Sequence, residues 1–320
     1  MIDNITMIKK SLSEAEKNKI IKNSRLQEQS VNGLKHYDNR TTKNFDGGFY
    51  IKISTDNILK IAGSLHKYYS FLQNENLTNF GGFTMKQARE TFLKLVENKG
   101  IEPDNMIITF YEIGLNLKTD IKPKEIIENI YSIGGLDNEK VFFINPNYKN
   151  KSHINTETHR DYRVYHKVYD KVFEMQDKKK PLPNDKNIIR VETVHRRVEK
   201  TIAIDFFTDE NLNRLQKRFF STWDGLNFDN DIEAPAGTHK SKTELAKAIY
   251  RKGKHIVLNK HTEQYKNKAL PKKMYYNAKR FIDNWEIQKN SFQFKKTKIC
   301  THFEKTYMIE KQIHSDFITT

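Results

Sequence analysis

The stretch MIITFYEIGLNLK, residues 106–118, predicts a β-strand. Side chains alternate across a strand, so Glu112 and Gly114 should share one face with Ile108 and Phe110. A carboxylate in the middle of an apolar strand is costly unless it is paired or binds a metal. Gly114 leaves room beside Glu112 for a cation or a substrate backbone. The alternative is a salt-bridged structural glutamate.

A second strand with charged residues on one face is predicted over residues 187–200. Arg190, Glu192 and Arg196 should lie on one face, with apolar residues on the other. A solvated sheet face has the same pattern, so this strand alone does not define a site. Glu112 and Glu192 together would suit one Mg²⁺ or Mn²⁺, because hard cations prefer carboxylate oxygens, with a DNA phosphate completing the coordination shell.

Between these two strands the sequence DYRVYHKVYDK, residues 161–171, predicts a third, over about residues 160–172. The period of two places Tyr165, Lys167, Tyr169 and Lys171 on one face and His166 on the other. A tyrosine that attacks a phosphodiester needs such lysines, which would favour the phenolate and stabilise charge on the phosphorus. Periodicity alone does not distinguish Tyr165 from Tyr169.

The whole pattern predicts an α+β fold, in which helices cover one face of a largely antiparallel sheet and a mainly helical C-terminal part follows. We place the domain boundary at residue 205: residues 1–205 form a catalytic domain, and residues 206–320 form a helical region for DNA binding or origin recognition. Further strands are predicted at residues 2–8, 30–37 and 48–54. Helices are predicted at residues 11–27 and 84–98, after Pro123, Thr208 and Pro271, and behind a capping box of Ser241 and Glu244.

The composition indicates a polyanionic partner. The chain has 56 lysines and arginines against 40 acidic residues, a net charge of +16. Nucleic acid is the first expectation for such a charge, although an A+T-rich genome also enriches lysine. The single cysteine, Cys300, excludes an intrachain disulfide and a multi-cysteine zinc site. Without a membrane-spanning run or signal peptide, the expected location is a reducing cytoplasm, with no membrane partner.

The order of several short motifs resembles the gene II/X replication initiators of filamentous phages and related plasmid proteins, which are rolling-circle endonucleases. The resemblance covers about residues 1–200. The family's nucleophilic tyrosine lies in a Tyr-x-Lys-x-x-Glu-x-Gln stretch, matched here by Tyr169, Lys171, Glu174 and Gln176. It therefore selects Tyr169 as nucleophile and leaves Tyr165 in reserve. The other landmarks are residues 1–3 (MID), 63–68 (GSLHKY), 112–116 (EIGLN) and 190–192 (RVE).

One departure from the family concerns the first acidic residue. The family often has aspartate in an Arg-Ile-Asp context, whereas this chain has Glu112 after Tyr111. The His-hydrophobic-His metal motif of many nicking enzymes is also absent from the sequence. His159, His166 and His195 could each supply one ligand or a general base, but His166 lies on the wrong face of its strand, which leaves His159 or His195. The alternative is that these histidines are surface or satisfied core residues.

The resemblance implies an enzyme that nicks single-stranded origin DNA, stays attached to the 5′ phosphate through tyrosine, and rejoins the strand. The 3′ hydroxyl would serve a host polymerase, with a host helicase as a further partner. Lys171 and Lys167 would stabilise the phosphorane, while Arg190 would contact phosphate or orient Glu192. The expected DNA-binding residues are Arg190, Lys67, Tyr68, Arg163 and Arg196.

Three alternatives remain open from the sequence. A non-catalytic DNA-binding replication regulator would keep the basic surface and use Tyr169 as a core or stacking residue. A metal-dependent nuclease would use water in place of Tyr169. Lys67 and Tyr68 would, in the plainer interpretation, form a solvated hairpin end.

Overall fold

The structure, a computed structural model, describes residues 1–40, 45–134, 139–148, 151–156, 163–228 and 231–316. The strands are β1 (Ile2–Lys9), β2 (Gln27–Val31), β3 (Leu34–Asp38), β4 (Tyr50–Ile53), β5 (Leu59–Ser64), β6 (Met106–Lys118), β7 (Ile130–Ile133), β8 (Lys140–Val141), β9 (Phe143–Ile144), β10 (His153–Asn155), β11 (Val164–Asp170), β12 (Ile188–Ile202), β13 (Leu226–Phe228), β14 (Asp231–Glu233) and β15 (Gln293–Lys295).

The helices alternate irregularly with these strands and dominate the C-terminal third. They are α1 (Glu14–Asn23), α2 (Phe45–Gly48), α3 (Leu65–Asn74), α4 (Met85–Lys99), α5 (Pro123–Asn129), α6 (Lys171–Asp177), α7 (Ala203–Phe206), α8 (Asp209–Trp223), α9 (Lys240–Lys252), α10 (Lys254–Lys266), α11 (Lys272–Asp283), α12 (Trp285–Gln288) and α13 (Lys298–Asp316), with a 3₁₀ turn at Lys289–Ser291. Among the helices so described, none is long and apolar enough to cross a bilayer.

Ten strands form the main sheet, in the order β2-β3-β4-β5-β1-β6-β12-β11-β10-β9. The neighbouring strands pair antiparallel throughout. This confirms the predicted fold class, an α+β protein with a large antiparallel sheet and a helical C-terminal part. The centre of the sheet contains β6, β12 and β11, the three strands that carry the candidate chemistry.

One face of the central strands is covered by α7 and α8. Trp223 of α8 donates its indole N–H to Thr193 Oγ1 at 3.0 Å, and its ring lies edge-on to His166, 5.8 Å between centroids. Phe206 of α7 contacts Tyr111 in the same manner at 5.0 Å. The opposite face of these strands carries Glu112, Glu192 and Tyr169, and all three are buried. His166 lies on the other face from Tyr169, as predicted.

The chain divides into two compact units at a place other than the predicted boundary. The first contains residues 1–128, 132–226 and 305–320, and the second contains residues 129–131 and 227–304. The division falls at residue 226 instead of 205 because α8 packs on the sheet of the first unit through Trp223. The second unit has its own core around Ala246, Ile282 and Trp285, and its strands β14 and β15 pair antiparallel.

Local signals explain most element boundaries. Thr84 and Gln87 cap α4 reciprocally, and Gly100 ends it in the left-handed conformation, φ 68°. Some local predictions were wrong. The strand predicted at residues 30–37 is divided between β2 and β3, which turn at Asn32 and Gly33, both with positive φ. The hairpin end expected around Lys67 is the first turn of α3, capped by Ser64, and α9 is capped by His239, with Ser241 inside its first turn.

The buried ring of His166 gives a testable pH dependence of stability. Burial, with smaller contributions from Lys140 and His195, lowers the pKa of His166 to about 3. The unfolded chain binds a proton near pH 6.5, so stability should fall as pH drops below that value. The loss is about 2 kcal/mol by pH 5 for this group. Urea unfolding measured at pH 7 and at pH 5 should show a smaller loss of the free energy of unfolding for His166→Gln than for the wild type.

The matched control for this measurement is His255→Gln, because His255 is exposed. Its pH dependence should equal that of the wild type. If the free energy of unfolding of His166→Gln depends on pH as strongly as that of the wild type, the titration does not belong to His166.

Candidate active site

The antiparallel register brings three predicted residues together on one face. Lys167 of β11 pairs with Glu192 of β12, which in turn pairs with Gly114 of β6. Because Gly114 has no side chain, the neighbouring Glu112 can reach the same place. Lys167 Nζ lies 3.1 Å from Glu112 Oε1 and 2.6 Å from Glu192 Oε2. One ammonium group therefore bridges the two carboxylates.

Tyr169 belongs to the same cluster through its hydroxyl. It donates a hydrogen bond to Glu192 Oε1 at 2.9 Å. The His153 ring stacks on the tyrosine ring at 5.1 Å and 4°, and Lys171 Nζ lies 5.8 Å from the ring centroid. The residue is 8% exposed. Tyr169 is thus a buried, hydrogen-bonded phenol at the edge of a charged cluster.

Arg190 holds the cluster in place from the interior. Its Nε lies 2.5 Å from Glu192 Oε1, its Nη1 donates to Asn116 Oδ1 at 2.8 Å, and its Nη2 lies 2.6 Å from Asp3 Oδ2. The residue is only 2% exposed. Of the two predicted roles for Arg190, the geometry fits the orientation of Glu192 and not a contact with DNA phosphate.

Sequence reasoning did not assign Asp3, Asn4, Asn79 or His153 to the site. Asp3 accepts hydrogen bonds from Ser64 Oγ and from Asn79 Nδ2, the latter at 2.8 Å. Asn4 donates to Glu112 Oε2 at 2.5 Å. Asp3 and Ser64 lie inside the short family-like motifs, which was the one available signal. Asn79 and His153 had none.

The charges in the cluster shift one another's pKa. For Lys167, burial favours the neutral amine, but Glu192 and Glu112 outweigh it and raise the pKa well above the usual range. Burial likewise opposes ionisation of Glu192, yet Lys167 and Arg190 lower its pKa to about 2. Burial and the charge of Glu192 raise the pKa of Glu112. Glu192 is therefore the firmly ionised member of the pair.

The expectation that neighbouring lysines favour the Tyr169 phenolate is wrong for this arrangement. Burial and the Glu192 carboxylate raise the pKa of Tyr169 well above its usual range, although Arg190 acts in the opposite direction. Lys171 does not continue the strand, because Asp170 caps α6 and Lys171 is its first residue. Its Nζ instead pairs with Glu174 Oε2 at 2.8 Å.

The residues as arranged do not fit a divalent ion between Glu112 and Glu192. Each of the four carboxylate oxygens lies within 3.1 Å of a protein nitrogen or hydroxyl, and Lys167 Nζ stands in the central position. In the described part of the chain no group of three or more His, Cys, Asp or Glu is placed to hold a metal. An ion would have to displace the ammonium group, so Mg²⁺ or Mn²⁺ binding stays a prediction.

Neither predicted histidine ligand can be placed at this cluster. His159 lies outside the described residues. His195 lies on the opposite face of β12, where its ring stacks on Tyr111 at 4.3 Å and 16°. Burial and the nearby Arg218 lower its pKa to about 4.

Among the predicted DNA-binding residues, Arg163 and Arg196 are neighbours, whereas Lys67, Tyr68 and Arg190 lie elsewhere. Tyr68 is 2% exposed and packs edge-on against Phe49 at 5.6 Å, so it is a core residue and not a stacking platform. Lys67 is half-buried, and together with burial it lowers the pKa of Lys180 to about 8. Arg163 is exposed.

The reserve nucleophile, Tyr165, lies farther along the same face of β11. Its hydroxyl accepts a hydrogen bond from Arg196 Nη2 at 3.1 Å, and the guanidinium lies 4.6 Å from its ring centroid. Arg196 therefore contacts this ring, and Tyr165 has no contact of this kind with Glu192. The hydrogen bond to Glu192 distinguishes Tyr169 from Tyr165, as periodicity could not.

A comparison with protein-family models found no match, and a comparison with curated proteins also found none. The resemblance to the gene II/X initiators therefore stays a prediction, carried by the residues named above.

The close packing at Gly114 predicts a clear effect of a single methyl group. A Cβ at this position would lie 2.8 Å from Arg190 Nη2 and 2.9 Å from Glu192 Cγ. Gly114→Ala should lower the free energy of unfolding by about 2 kcal/mol, because overpacking forces neighbours off their rotamers. Gly82→Ala is the control, since a Cβ there meets nothing within 4 Å. Equal urea midpoints for the two variants would show that the cluster is loosely packed.

Proposed function

We propose that the chain is a replication initiator that nicks and rejoins single-stranded origin DNA through Tyr169. The observation that supports this most is the hydrogen bond from the Tyr169 hydroxyl to Glu192 Oε1 at 2.9 Å, at the edge of a charged cluster that contains Lys167 and Arg190. A nucleophile, a proton acceptor and positive charge for the phosphoryl oxygens lie side by side there. The net charge of +16 favours a polyanionic substrate.

In the proposed reaction, Tyr169 Oη attacks the scissile phosphorus while Glu192 accepts the phenolic proton. A tyrosine O–P bond forms and the P–O3′ bond breaks, which leaves a 5′-phosphotyrosyl end and a free 3′ oxygen. The proton then passes to this 3′ oxygen. The reverse sequence rejoins the strand. Lys167 and Lys171 supply positive charge near the phosphorane, and Arg190 positions Glu192.

The ordering of proton transfer follows from the pKa shifts. Burial and Glu192 keep Tyr169 protonated at neutral pH, and Glu192, whose pKa is lowered to about 2, is too weak a base to ionise it beforehand. The proton therefore has to leave as the O–P bond forms. The negative charge of the bound phosphate would be offset by Lys167, whose pKa is raised by Glu192 and Glu112. Lys167 would therefore stay charged throughout the reaction.

A second candidate function is a non-catalytic DNA-binding replication regulator. It is favoured by the closed state of the cluster: Tyr169 is 8% exposed and Glu192 is 1% exposed. In this interpretation the tyrosine, the lysine and the carboxylates form a structural network. DNA would then bind to basic surface elsewhere on the chain. A metal-dependent nuclease using water is a third reading, with Tyr169 structural.

One experiment separates these functions. The protein is incubated with labelled single-stranded DNA that carries the origin, once with Mg²⁺ or Mn²⁺ and once with EDTA, and the products are resolved under denaturing conditions. A denaturant-resistant protein–DNA adduct supports the proposal. Cleavage without an adduct would indicate a water-using nuclease, and binding without cleavage a regulator. The EDTA arm shows whether Lys167 suffices as the cation between Glu112 and Glu192.

We further propose the cytoplasm of a bacterial host as the place of action, with origin DNA, a host helicase and a host polymerase as partners. The net charge of +16 supports the nucleic-acid partner, and the bacterial host with its helicase and polymerase rests on the resemblance to the gene II/X initiators. Retention of the protein on an origin-DNA column, with loss of retention in high salt, is the expected behaviour.

A further inference from the structure

A cavity of about 460 Å³ lies where β12 leaves its regular pairing with β6, between Arg196 and Thr201. Its floor includes Tyr111 and His195, which point to the face of the central strands opposite the Tyr169 cluster. Of its lining residues, Arg196 has its guanidinium over the Tyr165 ring, on the Tyr169 side. Phe206 of α7 and Leu215 of α8 form apolar parts of its wall. The cavity is not used by the proposed nicking reaction.

The cations around this cavity are all arginines. The chain has 12 arginines and 44 lysines. Nevertheless five arginines and no lysine line this cavity, together with a single carboxylate, that of Glu199. Lysine enrichment from genome composition would produce the opposite bias. Guanidinium groups differ from ammonium groups in presenting a planar fork that matches phosphate oxygens. The arginines are Arg163, Arg196, Arg197, Arg214 and Arg218.

Different elements bring these arginines together. Arg214 and Arg218 lie one turn apart on α8 and therefore on one side of the helix. Arg197 has a left-handed backbone, φ 49°, within the irregular part of β12. Arg163 precedes β11, and its carbonyl accepts the Arg196 N–H at 2.7 Å. The irregular part of β12 and helix α8 therefore form the cavity together, and both are integral parts of the fold.

Two of the arginines are anchored by side chains. Arg214 Nη2 donates to Asn211 Oδ1 at 2.6 Å, and Arg196 lies over the Tyr165 ring. Arg218 is close enough to His195 to help burial lower the pKa of that ring to about 4. His195 is therefore neutral at pH 7, and the positive potential of the cavity comes from the guanidinium groups.

We infer that this arginine-lined cavity binds a phosphate ester, either a phosphate of a single-stranded nucleic acid or that of a free nucleotide. Several guanidinium groups around one cavity repel each other, and an anion between them relieves that repulsion. The forked donors would bind phosphate oxygens in pairs. The inference does not depend on the chemistry of Tyr169.

The test uses fluorescein-labelled dT15 and, separately, ADP, with the full-length protein in 0.1 M salt. Arg218→Ala should weaken binding of dT15, of ADP, or of both about tenfold, since a charged hydrogen bond contributes that much. Lys217→Ala removes the same charge from the next position of α8, which is exposed and outside the cavity. It should change either affinity less than twofold. Arg218→Lys should restore only part of the affinity, because the charge returns without the fork.

The two probes distinguish the sources of the phosphate. Sensitivity of ADP binding to Arg218 assigns the cavity to free nucleotides, and sensitivity of dT15 alone assigns it to a nucleic-acid strand. Equal effects of Arg218→Ala and Lys217→Ala on both probes, with unchanged melting temperatures, would overturn the inference. These binding assays use no origin sequence and measure no adduct, so failure of the nicking proposal would be recognised separately.

Discussion

Arg190→Met should lower the free energy of unfolding by about 3–5 kcal/mol, because it leaves buried carboxylates without their partner. Arg190 joins Asp3, Asn116 and Glu192 at 2.6, 2.8 and 2.5 Å and is itself 2% exposed. Burial alone would raise the pKa of Asp3, but Arg190 outweighs it and holds this pKa well below its usual range. Without the guanidinium, the buried carboxylates have no compensating positive charge, and their desolvation lowers the free energy of unfolding. Urea unfolding followed by circular dichroism measures the change.

The control for this variant is Arg89→Met, which breaks an exposed ion pair. Arg89 Nη1 lies 2.7 Å from Asp209 Oδ1, with side chains that are 42% and 75% exposed. Its loss should cost less than about 1 kcal/mol. Similar unfolding midpoints for the two variants would mean that the Arg190 network contributes little to stability.

Tyr169→Phe should abolish the covalent protein–DNA adduct, because the only change is the loss of the attacking oxygen. The structure should survive, since the deleted group makes one hydrogen bond, to Glu192 at 2.9 Å, and such a bond contributes about 1 kcal/mol. The adduct is quantified on a denaturing gel, with the melting temperature measured in parallel.

Tyr165→Phe is the matched control, because it removes the same group four residues away on the same face of β11. It should leave most of the adduct, since Tyr165 contacts Arg196 and not the Glu192 carboxylate. An adduct that persists in Tyr169→Phe and disappears in Tyr165→Phe would transfer the nucleophile to Tyr165.

The central strands could be predicted from the sequence because their side chains alternate clearly with a period of two residues. The bounds of β6, Met106–Lys118, match the predicted residues, and Glu112, Lys167 and Glu192 come together on one face as expected. What periodicity cannot show is register. Only the pairing of Lys167 with Glu192 and of Glu192 with Gly114 explains why one ammonium group meets both carboxylates.

Long-range partners were not predictable from local patterns. Asp3 and Arg190 are 187 positions apart, and nothing in either segment specifies the other. The early end of β11 had a local signal, because Asp170 is a good cap and accepts the Phe173 N–H at 2.9 Å. Tyr68 was misread because an amphipathic helix start and a solvated hairpin end are equally polar over so few residues.

The domain boundary shows a similar limit. Residues after 208 have helical periodicity, and this change of pattern suggested a new domain. However, α8 packs on the sheet through Trp223, whose indole bonds to Thr193 at 3.0 Å. Helical periodicity identifies an apolar face, but it does not show whether that face covers the sheet or a separate core.

The most direct test of the central claim is to locate the bond between protein and DNA. Trypsin cuts after Arg163, Lys167 and Lys171, so Tyr165 and Tyr169 fall in separate tetrapeptides, VYHK and VYDK. The adduct is treated with nuclease and trypsin, and the peptides are analysed by mass spectrometry. Our account predicts a nucleotide on VYDK, the peptide of Tyr169. A nucleotide on VYHK or on another peptide, or cleaved DNA with no modified peptide, would contradict it.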